Sequence, residues 1–226
     1  MKLLALETST DACSVALAVD GDITVDTRIA PRQHTNLILG MIQQILSDSG
    51  IAKQQLDAIA YGRGPGAFTG LRIAAGVVQG LAYALNLPVV PVSTLAVMAQ
   101  LCYQKHQHPD VLVAMDARMN EVYTAYYQYN GESMCLLDEE RVVPPEKINL
   151  QQSHQCFGAG SGFLNYETLL NESRATLIGV DETLLPDAGA LAALAVQSFA
   201  RGETCAADKA LPVYIRNNVA VKPSQQ

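Results

Sequence analysis

The sequence predicts an α/β protein made of two related lobes with mixed sheets, and three observations carry that expectation. Leu3-Leu4-Ala5-Leu6-Glu7 recurs 109 residues later as Leu112-Val113-Ala114-Met115-Asp116, so an apolar strand closed by a carboxylate is written twice. Each copy is followed by a second apolar run, Cys13 to Val19 and Val122 to Tyr129, closed by Asp20-Gly21 and Asn130-Gly131. Those pairs favour the positive φ angles of a two-residue hairpin. Finally, Gly62-Arg63-Gly64-Pro65-Gly66 is echoed by Gly158-Ala159-Gly160-Ser161-Gly162. Hairpin strands pair antiparallel and helix-connected strands parallel, which makes both sheets mixed.

In chain order, the first lobe (residues 1–108) reads as strands over Lys2 to Thr8, Ala12 to Val19 and Asp22 to Ile29, then a helix over Thr35 to Ser47. Leu37, Met41 and Ile45 form one apolar ridge of that helix, and Ile38, Ile42 and Leu46 the next. A strand from Leu56 to Tyr61 enters the glycine segment, and a long helix follows over Thr69 to Leu85. A strand over Val89 to Val92 and a helix over Thr94 to Tyr103 close the lobe. The polar stretch Lys105 to Asp110, with its proline, is the expected hinge.

The second lobe (residues 109–226) repeats the strands over Val111 to Ala117, Glu121 to Tyr129 and Ser133 to Val142. Gly21 to Gly62 spans 41 residues but Gly131 to Gly158 only 27. The missing 14 residues are about four helical turns, so the helix at Thr35 to Ser47 shrinks in this copy to whatever Pro144 to Gln152 can form. The last helix, Ala188 to Ala200, is nearly all Ala, Leu and Val. Its composition suits either capping the second lobe or crossing back to the first.

Composition excludes several functions. With 49% apolar residues in 226, the cores are well filled. Only the four-residue apolar run Leu3 to Leu6 leads into Glu7, too short for a signal peptide, and no run approaches the roughly 20 residues of a membrane span, so a cytoplasmic location is expected. Cys13, Cys102, Cys135, Cys156 and Cys205 contain no Cys-x-x-Cys and read as reduced, buried thiols. A net charge of −7 argues against this surface gripping a phosphate backbone by itself, because such binding depends on Lys and Arg displacing counterions. A small basic tail, Lys209, Arg216 and Lys222, is the exception.

The motifs point away from independent chemistry. Gly70 is followed by Leu71-Arg72 rather than Lys-Ser/Thr, no Asp or Glu occurs from residue 59 to 109 to hold a ribose, and Pro65 lacks an N–H. The glycine segment therefore reads as a tight strand-to-helix turn. Glu7 and Asp116 are expected to face each other across the cleft between lobes. Glu7 with Thr8, and Asp116, could hold a metal and a phosphate; alternatively, each acid ends a strand and takes hydrogen bonds from the next turn. His34, His106, His108 and His154 form no zinc motif, the pair His106 and His108 reads as solvated, and Ser161 lies in no nucleophile elbow. Gly70, Gly76 and Gly80 in a helix each cost about 1 kcal/mol against alanine. A flat packing face offsets that, either inside the lobe or against another protein.

Four segments carry a family resemblance: residues 3–10, Tyr61-Gly62-Arg63-Gly64-Pro65-Gly66-Ala67-Phe68-Thr69-Gly70-Leu71-Arg72-Ile73, residues 115–123, and Pro212-Val213-Tyr214-Ile215-Arg216-Asn217. They resemble the bacterial TsaB (YeaZ) family, and the glycine segment is the specific one. The resemblance implies a duplicated actin-like, Hsp70-like ATPase fold of ribonuclease H-like lobes. It implies a part in making threonylcarbamoyladenosine beside the anticodon of tRNAs that read codons starting with A. In that scheme a TsaD-type subunit is catalytic, TsaE is an ATPase, and this chain is a non-catalytic partner that touches tRNA only indirectly, with no cofactor, and pairs with itself when alone. Thr94 and Met98 stand where the catalytic relative has its two histidine ligands, and a hydroxyl and a thioether cannot replace two imidazoles on a divalent ion. The expected partner surface is Leu37, Met41, Ile45, Gly70, Ile73, Val77 and Gly80. The alternatives are an independent ATPase or phosphotransferase using Glu7 and Asp116, and a metalloprotease, for which the ligands are missing.

Overall fold

The computed structural model describes residues 1–148, 155–166 and 177–216. One sheet contains β1 (Lys2–Glu7), β2 (Ala12–Val19), β3 (Asp22–Ile29), β4 (Ala58–Gly64) and β5 (Val89–Ser93), in the order β3-β2-β1-β4-β5. The other contains β6 (Asp110–Asp116), β7 (Val122–Tyr129), β8 (Met134–Leu136), β9 (Arg141–Val143), β10 (Cys156–Ala159) and β11 (Leu177–Asp181), in the order β8-β7-β6-β10-β11, with β9 also on β7. β1 is antiparallel to β2 and parallel to β4, and β6 is antiparallel to β7 and parallel to β10. The repeat in the sequence is thus a repeat of topology.

Alternation along the strands decides which helix covers which face. Leu4, Leu6, Val15, Leu17, Ile59 and Tyr61 face α1 (His34–Asp48) and α2 (Phe68–Leu85). The opposite face of the same strands is lined by Leu3, Ala5, Ala16, Ala18, Ala58 and Ala60. A sheet face lined with alanine admits a helix of small residues, and the last helix, Ala188–Ala200, packs there through Ala188, Leu191, Ala192 and Ala195. Of the two placements its composition allowed, it takes the return to the first sheet. Its start is fixed by the Asp187 carboxylate, which accepts from Ala190 N at 2.8 Å, and by Ser14 Oγ, which accepts from Ala188 N at 2.9 Å. A short helix, α4 (Gly162–Asn165), precedes it, so it is α5.

Between the sheets lies α3 (Thr94–His106), capped by Ser93. Val97 joins the alanine-lined face of the first sheet, whereas Leu95, Met98, Ala99 and Cys102 join Val111, Val113 and Tyr127 beneath the second. The expected hinge is instead an anchored helix end. Lys105 Nζ and His106 Nε2 reach Asp181 at 2.7 and 3.0 Å, and the His106 ring stacks on Phe157 at 4.2 Å. His106 is therefore not a solvated loop residue. His108 Nδ1 lies 2.9 Å from Asp110 O.

Other expectations need correction. Asp20-Gly21 makes the tight turn with φ of 52° and 105°, but after β7 only Gly131 is left-handed, and the loop from Asn130 to Ser133 is four residues long. The Asn130 carboxamide organises it by accepting from Glu132 N and Ser133 N, both at 2.9 Å. The strand expected over Ser133 to Val142 is split into β8 and β9, because Glu140 between them turns inward to accept from Ser93 and Tyr127. Of the segment Pro144 to Gln152, Pro145–Lys147 is a 3-10 turn. Gln152, His154, Asn217 and Lys222 lie outside the described residues. Cys13, Cys102 and Cys156 are buried, but Cys135 is exposed.

The 18 residues of α2 have a mean hydropathy of 1.3, long and apolar enough by length and composition to cross a bilayer. Leu71, Ala74, Ala75, Val78 and Ala82 bury one side of it in the first core. Its glycines serve two different purposes. A Cβ on Gly70 would lie 1.9 Å from Thr8 O, whereas one on Gly76 or Gly80 would meet nothing within 4 Å. Gly70→Ala should therefore destabilise the chain by about 1–3 kcal/mol, the usual cost of overpacking. Gly76→Ala and Gly80→Ala should each stabilise it by up to about 1 kcal/mol through helix propensity. Urea unfolding of the three variants checks the opposite signs.

Candidate functional site

The hairpin after β1 and the glycine segment after β4 form one unit. Ala67 N donates to Ser9 O at 2.7 Å, and Thr8 Oγ1 donates to Gly70 O at 2.8 Å. A Cβ on Gly66 would lie 2.6 Å from Ser9 Cβ, and one on Gly62 would lie 2.0 Å from Glu7 Oε2. The glycines are therefore needed for the chain's own backbone to approach the hairpin. Glu7, Thr8 and Ser9 are consequently sealed, at 0%, 1% and 1% exposure. Glu7 Oε1 accepts from Ser9 N at 2.6 Å, while Oε2 has no partner among the described residues. Burial pushes this carboxyl above the ordinary glutamate range, and the hydrogen bonds from Ser9 oppose the shift only in part.

Asp116, at the matching place on β6, is held differently. Its Oδ1 accepts from Arg118 N at 2.8 Å and from the Tyr166 hydroxyl at 3.0 Å; its Oδ2 accepts from Arg118 Nη1 at 3.2 Å and Asn165 Nδ2 at 3.0 Å. Four donors occupy the acceptor positions that a cation would need. Asp116 lines a cleft of about 430 Å³ between the two sheets, together with Ser9, Thr10, Gly66, Phe68, Tyr123 and Ser161. Glu7 and Thr8 are not on its wall. The expected pair of acids facing each other across the cleft is thus replaced by one acid in the cleft and one behind the glycine segment. Each takes hydrogen bonds from the turn that follows it. Thr94 and Met98 are buried in the interior, and the Met98 methyl fills the space over Gly160, where a Cβ would lie 2.6 Å from it.

The expected partner surface divides. Met41, Ile45 and Gly70 are core residues, 1% and 4% exposed in the first two cases, because the apolar ridge of an amphipathic helix faces its own sheet. All three are interior to this chain. Leu37, Ile73 and Val77 are half-buried between the helices. The outward surface of α2 is the row Phe68, Arg72, Gly76 and Gly80, spaced four residues apart, with Tyr83 beyond it; Leu39 and Gly40 lie outward on α1. Hydrophobic periodicity located the apolar ridge but could not say that it belonged to the sheet.

Residues that the sequence reading passed over tie the parts together. Arg63 in the glycine segment reaches Glu140 at 3.7 Å, while Tyr61 Oη donates to Leu211 O at 2.9 Å. The quoted motifs held Arg63 and Arg216, but no periodicity links them to their distant acids. Because the folded Glu7 holds its proton more tightly than the unfolded chain does, its contribution is favourable below the ordinary glutamate pKa of 4.5 and is lost as pH rises. Glu7→Gln removes this dependence, so the melting temperature of the variant minus that of wild type should be larger at about pH 7 than at about pH 4 in thermal scans.

A family model described as TsaD, tRNA N6-adenosine threonylcarbamoyltransferase, matches residues 25–221. The tRNA threonylcarbamoyladenosine biosynthesis protein TsaB of Escherichia coli (strain K12) is 45% identical over 226 residues, covering 98% of this chain and 97% of the relative. The protein of the same name from Haemophilus influenzae is 40% identical, with 98% and 96% covered. The solved structure of YeaZ from Pseudomonas aeruginosa is 44% identical with a TM-score of 0.86, covering 94% of this chain and 99% of that one. With that likeness along its whole length and the actin-like, ribonuclease H-like architecture of its two sheets, the chain belongs to the TsaB (YeaZ) family of TsaD-type proteins.

Proposed function

We propose that this chain is an accessory subunit in the synthesis of threonylcarbamoyladenosine beside the anticodon of tRNA, scaffolding a TsaD-type catalytic subunit without chemistry of its own. The observation that supports this most is the outward row of α2. A Cβ on Gly76 or Gly80 would meet nothing within 4 Å, yet each glycine weakens the helix by about 1 kcal/mol. A flat, exposed helix face suits close approach by a partner helix, with Leu39, Phe68 and Tyr83, all more than half exposed, as side chains that the partner covers. The sealed Glu7 and the four-fold bonded Asp116 are consistent with chemistry supplied elsewhere. A TsaE-type ATPase joins the pair, tRNA is held mainly by the other subunits given the charge of −7, and the same face pairs two copies when the chain is alone.

Gly76→Leu and Gly80→Leu are the informative variants, since open space surrounds both positions and leucine favours helix. Co-purification with the TsaD-type subunit should fall at least about tenfold, the result of losing about 1.4 kcal/mol, while thermal stability is kept. Retention at wild-type yield would overturn the assignment of the face. Met41→Glu is uninformative, because it places a charge in the core. Calorimetry of the isolated chain with ATP and Mg²⁺ should show no micromolar binding; such binding would favour the independent ATPase.

A further inference from the structure

The end of the described chain, residues 210–216, is a strap that touches both lobes. Its first part lies on the first lobe. Gln79 Nε2 donates to Ala210 O at 3.1 Å, Val213 N donates to Arg63 O at 2.7 Å, and Val213 O passes so close to Gly64 that a Cβ there would lie 2.8 Å from it. Tyr214 then packs on Phe68, with ring centroids 5.6 Å apart, and its hydroxyl accepts from Arg72 Nε at 3.1 Å. Two residues on, Arg216 reaches the second lobe, pairing with the Glu121 carboxylate and donating to Arg118 O at 3.2 Å and to Met119 Sδ at 3.3 Å.

The turn that Arg216 grips has an unusual backbone. Arg118, Met119 and Asn120 have φ of 64°, 55° and 58°, three successive non-glycine residues in the left-handed region. Side chains disfavour that region, so a run of three persists only where surrounding contacts impose it. All three residues are exposed, so no core packing imposes it. The contacts that impose it are the turn's own backbone bonds, Ala117 N to Glu121 O at 2.9 Å and Glu121 N to Arg118 O at 3.1 Å, the Asp116 carboxylate on one side and the Arg216 guanidinium on the other.

The geometry points to the strap as a conformational tie, in which Arg216, anchored through Tyr214 on α2, holds the turn at 117–121 in its left-handed form and so sets the mouth of the cleft between the lobes. Arg216 is a positioning residue in this scheme. The tie does not depend on which partner covers α2, and its test uses the isolated full-length chain.

Amide hydrogen exchange reads the tie at both ends. In Arg216→Ala, exchange at 117–121 should rise roughly tenfold or more, while α1 keeps its protection. Tyr214→Ala leaves Arg216 in place but releases its anchor, and should raise exchange at 117–121 in the same direction. Arg216→Lys retains the charge without the planar fork and should fall between. Unchanged exchange at 117–121 in Arg216→Ala overturns the proposal, and so does a rise there that Tyr214→Ala fails to reproduce, since Arg216 would then be only a local cap. If Arg216→Ala loosens α1 as well, Tyr214→Phe, which removes only the hydroxyl that receives Arg72, decides by the same comparison: raised exchange at 117–121 supports the tie and unchanged exchange overturns it.

Discussion

The structure depends on a contact between two pieces of backbone. A Cβ on Gly66 or Gly70 would run into the backbone of Ser9 or Thr8, and one on Gly62 into the Glu7 carboxylate. That approach sets where α2 begins and brings its apolar side over the first sheet. It also buries Glu7, Thr8 and Ser9. Close approach by glycine backbone, to a ligand or to the chain itself, has one sequence signature. Here the neighbour is the chain.

The duplicated architecture has been put to unequal use. In the first lobe the acid is buried under glycine, and burial raises its pKa. In the second, Asp116 remains in the cleft and organises Arg118, Asn165 and Tyr166 around itself. The α5 helix leaves the second half of the chain to pack on an alanine face of the first sheet, and α3 feeds side chains into both cores. Arg63 with Glu140, and Arg216 with Glu121, join the lobes by charge at two further places. Each pairs one mostly buried side chain with one about a third exposed. Their significance lies in the geometry they impose on the turns between them.

The α2 helix shows how one element can serve two surfaces. Leu71, Ala74, Ala75, Val78 and Ala82 complete the interior, while Phe68, Arg72, Gly76 and Gly80 form a separate outward row. The strap adjoins that row through Tyr214, which places the outward face and the mouth of the cleft in one connected set of contacts. The chain therefore presents this exposed helix face and its cleft on elements that share the glycine segment as their origin.

Local sequence was sufficient for β1, β2, β3, β5, β6 and β7, for α1, α2 and α5 to within a residue or two, and for the doubling, because period-2 and period-3.6 patterns and turn residues act over a few positions, but it did not anticipate β10 or β11. It also identified the family through the glycine segment. It could not say which side of an amphipathic helix is free: Met41 and Ile45 belong to the apolar ridge in either case, and only the sheet beneath them makes them interior. Nor could it place Glu7 behind Gly62 while Asp116 stays in the cleft, since the two acids end equivalent strands and differ only in what packs over them. The break between β8 and β9, the anchoring of Lys105 and His106 by Asp181, and the path of the strap are contacts between residues tens of positions apart. Their partners are selected by distance in the folded chain, which tertiary structure alone decides.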